Sequence, residues 1–448
     1  MHWGDGRQRE RSSRTSGRDD ATRSEQEGGG LPFGVEIRRA SAEDREAILE
    51  VVETCFATPG GQPSGRIEER FWHVYAPDRF QPSSWQVAEA GGKIVAAAGF
   101  PTIDLNVGSF SFRCAGVTGV CTLPEWRGRG LMSALLKAGM DDIDRRGLPL
   151  SLLKGMRHRY RRFGFEDGGR RLGLVLHRRR FPDPGWNDEE VVHVAGIGAS
   201  TPLPPGFCEG LLAVQKRYLG RALRSPSDQR AMISRRGVHT LWVERDGHAA
   251  YALAGGATGP HLDDGFPPAA EGGGTWSKLY EVAGEPRLAL QLLGFLMRKG
   301  SGSMQVLISP RLNALERRLW ERAERQFLSP AGMIRIHDLA GLLASYTPWW
   351  KERPPSGADS LALVMEDPEG GGSQAVEIAW DRRNVRIRRL EAPPADAEGN
   401  VVRADRWNWV QALFGPLDVE DALGPSPHAR RLRELFPLPF WPPRLEQV

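Results

Sequence analysis

Cysteine is scarce: Cys55, Cys114, Cys121 and Cys208 are the four in 448 residues. They form no Cys-x-x-Cys pair and no metal-ligand spacing. This excludes a disulfide framework and a zinc knuckle, and no metal is expected; in a reducing compartment such residues pack as small apolar side chains. No apolar run approaches the roughly 18 residues of a membrane span, and the N-terminal stretch lacks the apolar core of a signal peptide. The expectation is a soluble cytoplasmic protein with no membrane partner. Net charge is also small, at +4 with a pI near 9.0. The basic residues are nearly all arginines and acidic residues almost balance them. With no recognised binding module, nucleic acid is not an expected partner.

What the chain does have is bulk. At 448 residues and 40% hydrophobic content it can bury large cores, and ordinary domain sizes suggest roughly two to four domains. Residues 1–33 are the exception, rich in Arg, Ser, Gly and acids and nearly free of large apolar side chains. They read as a disordered tail.

The chemistry concentrates between Val120 and Gly130. A strand, Ala115 to Thr122, breaks at Leu123-Pro124 and passes through the loop Glu125-Trp126-Arg127-Gly128-Arg129-Gly130 into a helix. Met132, Leu135, Leu136, Gly139, Met140 and Ile143 fall on one helical face, and Gly147 supplies the stop. A helix start leaves N–H groups unpaired and carries partial positive charge, so it suits a phosphate; glycines let that phosphate approach the backbone.

Arg127-Gly128-Arg129-Gly130-Leu131-Met132 resembles the acyl-CoA pyrophosphate loop of GNAT N-acetyltransferases, whose pattern is Gln/Arg-x-x-Gly-x-Gly/Ala; Met132 departs from its last position. Downstream of an apolar strand, Leu148 to Leu153, stands Tyr160-Arg161-Arg162-Phe163-Gly164-Phe165. This is similar to the Tyr-x-Arg-Phe-Gly-Tyr motif of the Eis (enhanced intracellular survival) branch of that superfamily, with Phe165 in place of the final tyrosine. The resemblance implies an α/β (α+β) chain of tandem GNAT folds followed by a sterol carrier protein-like domain, assembled as a homohexamer.

The rest of the chain fits that order. From Gly34, a strand at Val35 and Ile37, a cap at Ser41 with Asp44, and a stripe of Ile48, Val51, Val52 and Cys55 open a first unit, 34–185. Residues 57–83, with Phe71, Trp72, Tyr75 and Phe80, are expected to border an acceptor pocket. A hairpin over Trp85 to Phe100 and a strand over Ile103 to Phe112 precede the central strand. A second unit, 186–343, repeats the alternation, but at the matching turn stands Ala283-Gly284-Glu285-Pro286-Arg287, where Glu285 opposes a phosphate. The resemblance makes it a degenerate GNAT fold. The third unit, 344–448, reads as an antiparallel sheet with helices, with Trp349 and Trp350 packing and the apolar, proline-rich end from Leu435 docked.

By the resemblance, the cosubstrate is acetyl-CoA. Main-chain groups of Val120, Cys121 and Thr122 would meet its pantetheine and acetyl groups, and Arg127, Gly128, Arg129, Gly130 and Leu131 its pyrophosphate. Tyr160 would be the general acid, since a phenol with a pKa of about 10 holds its proton at neutral pH. The carboxylate of Val448 would be the base, with His158 as another candidate. Arg157, Arg159, Arg161 and Arg162 form a basic cluster that serves either the CoA phosphates or a surface paired with acids. The implied reaction is acetyl transfer to a primary amine: a polyamine, an aminoglycoside or a lysine. A non-catalytic CoA-binding or lipid-binding protein is the alternative.

Overall fold

The computed structural model describes residues 32–56, 67–107, 110–198, 200–219, 224–255, 277–300, 302–309, 312–367, 372–394, 400–425 and 427–440. The expected tail lies outside them except for its last two residues, as does Val448. In chain order the first part comprises β1 (Val35–Arg39), α1 (Arg45–Phe56), α2 (Ile67–Arg70), α3 (Trp72–Tyr75), β2 (Trp85–Ala90) and β3 (Lys93–Gly99). It continues with β4 (Thr102–Val107), β5 (Phe110–Thr122), α4 (Leu131–Arg145), β6 (Leu150–Leu153), α5 (Arg157–Tyr160), β7 (Glu166–Gly168) and β8 (Arg171–His177). The expected capping box is present: Ser41 N–H donates to Asp44 Oδ2 at 2.7 Å, and Asp44 in turn pairs with Arg38. The strand break ahead of the central strand falls between β4 and β5, not at residues 113–114. Asn106↔Ser111 and Val107↔Phe110 close a hairpin there.

The second part runs β9 (Val192–Ala195), α6 (Phe207–Leu219), α7 (Pro226–Ser234), β10 (Val238–Arg245), β11 (His248–Gly255), β12 (Lys278–Gly284) and α8 (Pro286–Lys299). Then come β13 (Ser303–Ile308), α9 (Ala314–Arg322), β14 (Arg325–Ser329) and β15 (Gly332–Ile336). Helix α9 stops at Arg322, because Arg325 already pairs with Val175 in a strand. The last part holds α10 (Leu339–Ser345), α11 (Thr347–Glu352), β16 (Asp359–Glu366), β17 (Ser373–Trp380), β18 (Val385–Leu390), β19 (Val401–Asp405) and α12 (Arg406–Phe414).

Three sheets result. The first has the order β1-β2-β3-β5-β6-β15-β7 with β4 on β5; the second, β14-β8-β13-β12-β11-β10-β9; the third, β18-β17-β16-β19. Two strands cross between parts. β8 follows the first sheet in sequence but pairs with β13 and β14 of the second, and β15 returns from the second part to sit between β6 and β7. A cut at 185/186 therefore severs both sheets. The third sheet is not wholly antiparallel: β19 lies parallel to β16.

Helix α4 covers the first sheet with the expected face at Leu135, Leu136, Gly139, Met140 and Ile143, all buried; in its first turn Leu131 is buried and Met132 only half-buried. On the opposite face, Tyr75 and Phe80 pack on Trp85 with ring centroids 5.6 and 5.5 Å away, and Tyr75 and Trp85 are 2% and 0% exposed. These aromatics are core, not the pocket wall expected of them. Trp349 and Trp350 pack as expected, at 6% and 2% exposure. Of the terminal stretch, Leu435, Phe436, Leu438 and Phe440 are buried, with Leu438 N–H bonded to Leu413 C=O at 2.7 Å.

Candidate active site

Strands β5 and β6 run parallel but pair only at Ala115↔Ser151, Gly116↔Leu152 and Val117↔Leu153. Beyond that level β6 ends while β5 continues to Thr122, held on its other edge by β3. Leu123 N–H donates to Val95 C=O at 3.0 Å, and Cys121 pairs with Ala97. Main-chain groups alternate along a strand, so those of Val120 face the edge that β6 has left, whereas Thr122 C=O accepts from Arg127 Nε and its N–H meets the Cys55 thiol. Cys121 is placed differently from expectation. Its main chain serves β3, and its 8%-exposed side chain packs toward α1. The parted strands leave a cleft between them beyond Val117.

Helix α4 starts at the mouth of this cleft. Its first internal hydrogen bond runs from Ala134 N–H to Gly130 C=O at 3.1 Å, and no side chain caps the turn. The N–H groups of Leu131, Met132 and Ser133 are thus left for a ligand. Gly130, the cap residue, has φ 75° and Gly128 φ 76°, and a Cβ at either would meet nothing within 4 Å. The backbone there is bare and open, as close approach of a phosphate requires. Arg127 folds back with its Nε on Thr122 C=O at 3.2 Å, and Arg129 lies over the Trp126 ring at 4.7 Å. Arg162 reaches Ser133 Oγ at 3.5 Å, so three guanidinium groups surround the helix start.

Tyr160 closes α5 just past the end of β6. Its ring packs on Gly155, where a Cβ would collide with Cε2, and edge-on against Phe165 at 6.3 Å. The hydroxyl makes no hydrogen bond among the described residues, and burial raises its pKa, opposed by the charge of Arg159. It is held as a neutral phenol with its proton uncommitted. The basic cluster around it divides. Arg157 and Arg161 are structural, donating to the buried Glu166 at 2.5, 2.6 and 3.0 Å, which holds that carboxylate below its ordinary range despite burial. Arg159, Arg162 and His158 carry no such pairing to Glu166.

Sequence reasoning missed the partners that come from far along the chain. Cys55, at the last turn of α1, sets its thiol against Cys121 Sγ, Arg127 and Thr122 N–H, and these contacts hold its pKa down to about 7. Trp407, Arg335 and Arg406 converge on residues 161–164. No local motif marks any of them. A Ser151–His337–Asp144 chain, with contacts of 2.9 and 2.7 Å, has the order of a hydrolase triad, but Ser151 is 0% exposed and no substrate can reach it.

The terminal stretch arrives at this same end of the first sheet. Met333 pairs with both Leu153 and Asp167, so Gly168 and Ala331 lie at the level where β5 and β6 part. Phe440 packs there: a Cβ on Gly169 would stand 2.8 Å from its carbonyl oxygen. Among the described residues, no cluster of three or more metal-ligating side chains occurs, and no helix is long and apolar enough to cross a membrane.

Residues 36–168 match the family model described as an acetyltransferase (GNAT) domain. Among solved structures, a GCN5-related N-acetyltransferase from Kribbella flavida is similar with TM-score 0.59 at 16% identity, over 89% of this chain and 95% of that one. A GCN5-related N-acetyltransferase from Anabaena variabilis gives 0.59 at 14%, over 91% and 98%. Eis1 from Mycobacterium abscessus gives 0.54 at 18%, over 91% and 99%. No curated protein matches. At these identities the likeness is one of fold, and it extends over most of the chain.

Proposed function

We propose that the protein is an acetyl-CoA-dependent N-acetyltransferase acting on a primary amine. The observation that carries this reading is the meeting, at one cleft, of three features: strands that part beyond Val117, an uncapped helix start at Gly130, and a Tyr160 hydroxyl that makes no hydrogen bond among the described residues. Val120 offers main-chain groups to the pantetheine arm; those of Thr122 are engaged by Arg127 and the Cys55 thiol. Arg127 to Leu131 receive the pyrophosphate through N–H groups and guanidinium charge. The amine attacks the thioester carbonyl, the C–N bond forms, and the C–S bond breaks as Tyr160 gives its proton to the leaving sulfur.

The proton of the amine needs an acceptor, and the carboxylate of Val448 is our choice. From Phe440, at the cleft end of the sheet, eight more residues can span about 27 Å when extended. We read the second sheet as a degenerate copy of the first. The Glu285 carboxylate accepts Leu288 N–H at 2.7 Å and fills the start of α8, where the first copy leaves its helix open. We read the third sheet as the sterol carrier protein-like unit, a likeness of fold that carries no lipid function by itself.

The test is release of CoA thiol from acetyl-CoA with polyamines, aminoglycosides and lysine peptides, comparing the intact chain with Tyr160→Phe and with Val448 removed. Turnover that falls by roughly a hundredfold or more in Tyr160→Phe supports the acid role. Saturable CoA binding with no turnover on any amine would instead identify a binding protein.

A further inference from the structure

The turn that follows Tyr160 is held in place by residues from the far end of the chain. Trp407, the second residue of α12, donates its Nε1–H to Arg161 C=O at 3.0 Å, and the Arg161 guanidinium lies 3.8 Å from the centre of the same indole ring. Arg335, on β15, donates from Nη1 to Phe163 C=O at 2.6 Å. Gln411, one turn further along α12, donates to Asp167 C=O at 2.5 Å. Gly164 sits between these contacts at φ 74°. A Cβ there would collide with Arg335 Nη1 and come within 2.9 Å of Arg406 Nη1.

Locally, this turn has little else to fix it. α5 is one turn long, residues 161–163 form a single 3-10 turn, and the main-chain bonds that close it are Gly164 N–H to Arg161 C=O at 2.9 Å and Phe165 N–H to Tyr160 C=O at 3.4 Å. A segment this short does not hold its own geometry in water. The Tyr160 phenol is carried on it, with its ring resting against Gly155 and Phe165 and its hydroxyl making no hydrogen bond among the described residues.

We infer that Trp407, with Arg335, is a positioning residue for the general acid: side chains of α12 and β15 set where the Tyr160 hydroxyl stands, without touching substrate. Glu166 completes the arrangement, accepting from Arg161 Nε at 3.0 Å. Arg161 is thus held by both a carboxylate and an aromatic ring, its carbonyl bonded by the same ring's N–H, and Tyr160 is the preceding residue. The inference rests on the acid role proposed above for Tyr160. It adds a purpose for α12 that the cleft by itself does not require.

The experiment is a double-mutant cycle in the full chain between Tyr160→Phe and Trp407→Ala, with Trp407→Phe as the milder variant that keeps a ring under Arg161 and deletes the N–H. Steady-state kcat and the KM for acetyl-CoA are read, and thermal unfolding is recorded for each variant. A displacement of about 1 Å in a reacting group is enough to cost roughly a hundredfold in rate. We therefore expect Trp407→Ala to lower kcat by ~30- to 100-fold and Trp407→Phe by ~10-fold, with KM changed less than ~3-fold. In the Trp407→Ala background, Tyr160→Phe should then cost less than ~3-fold, because the acid it removes is already out of place. If Trp407→Ala fails to fold, the same cycle is run on Trp407→Phe. Rate losses that multiply in the double variant, or losses that follow the fraction of folded protein, overturn the proposal. A wild-type background in which Tyr160→Phe changes nothing overturns the acid role itself, a separate result from the same four proteins.

Discussion

Acidification should unfasten the joint between the first sheet and the third part at His337, and the structure sets the size of the effect. His337 follows β15 directly, is 8% exposed, and bridges Asp144 Oδ1 at 2.7 Å and Ser151 Oγ at 2.9 Å. Burial pushes its imidazole down from 6.5 to about 4; the Arg335 and Arg406 charges add to this, and the bond to Asp144 opposes it. The folded chain therefore binds this proton less readily than the unfolded chain. Its contribution to stability is fully present above pH 6.5 and is lost as pH falls through 6.5 toward 4. Between pH 7 and about pH 4.5, above the range in which Asp144 titrates, the loss is roughly 2.5 kcal/mol at 1.36 kcal/mol per pKa unit. Glu316 acts in the opposite sense, since burial pushes its carboxyl up to about 7. For that reason the measurement is a difference, urea unfolding of the wild type against His337→Gln at both pH values, followed by tryptophan fluorescence. The wild type should be the more stable at pH 7 and lose most of that margin at pH 4.5. Parallel pH dependences in the two proteins would refute the reasoning.

Two further outcomes follow from the cleft. Cys55 should be alkylated by iodoacetamide with a midpoint near pH 7, because Cys121 and Arg127 hold its thiol down to about 7. Arg127→Ala should move that midpoint up toward the ordinary thiol value of about 8.5, and an unchanged profile would show that Arg127 does not face the thiol. Gly130→Ala should fold with a penalty of only about 1–2 kcal/mol for its left-handed backbone, as its Cβ meets no neighbour. Its CoA affinity by isothermal titration should nevertheless fall by ~10-fold or more, since the added methyl stands where a phosphate approaches; undiminished affinity would place the pyrophosphate elsewhere.

Much of the frame was legible because it is local. The one-sided apolar face of α4, its glycine-rich start and the Ser41–Asp44 box all depend on residues within a few positions of one another. The same locality marked Tyr160 and the arginines beside it. The errors arose where the deciding contact was remote. Tyr75 and Phe80 were read as pocket aromatics because only the packing on Trp85 shows them to be core.

The sequence by itself determined the strand-loop-helix unit, the chemistry available in it and the type of fold, since periodicity, caps and glycine placement act over one or two turns. Tertiary structure alone decided three other things. It set which strands part, through a register of three pairs between β5 and β6. It exchanged β8 and β15 between sheets, a choice made by long-range pairing that no single strand encodes. And it brought Trp407 and Arg335 onto the turn after Tyr160, 246 and 172 residues from the carbonyls they hold. Such contacts arise from the closure of long loops and the docking of whole layers, which leave no pattern in the neighbouring residues.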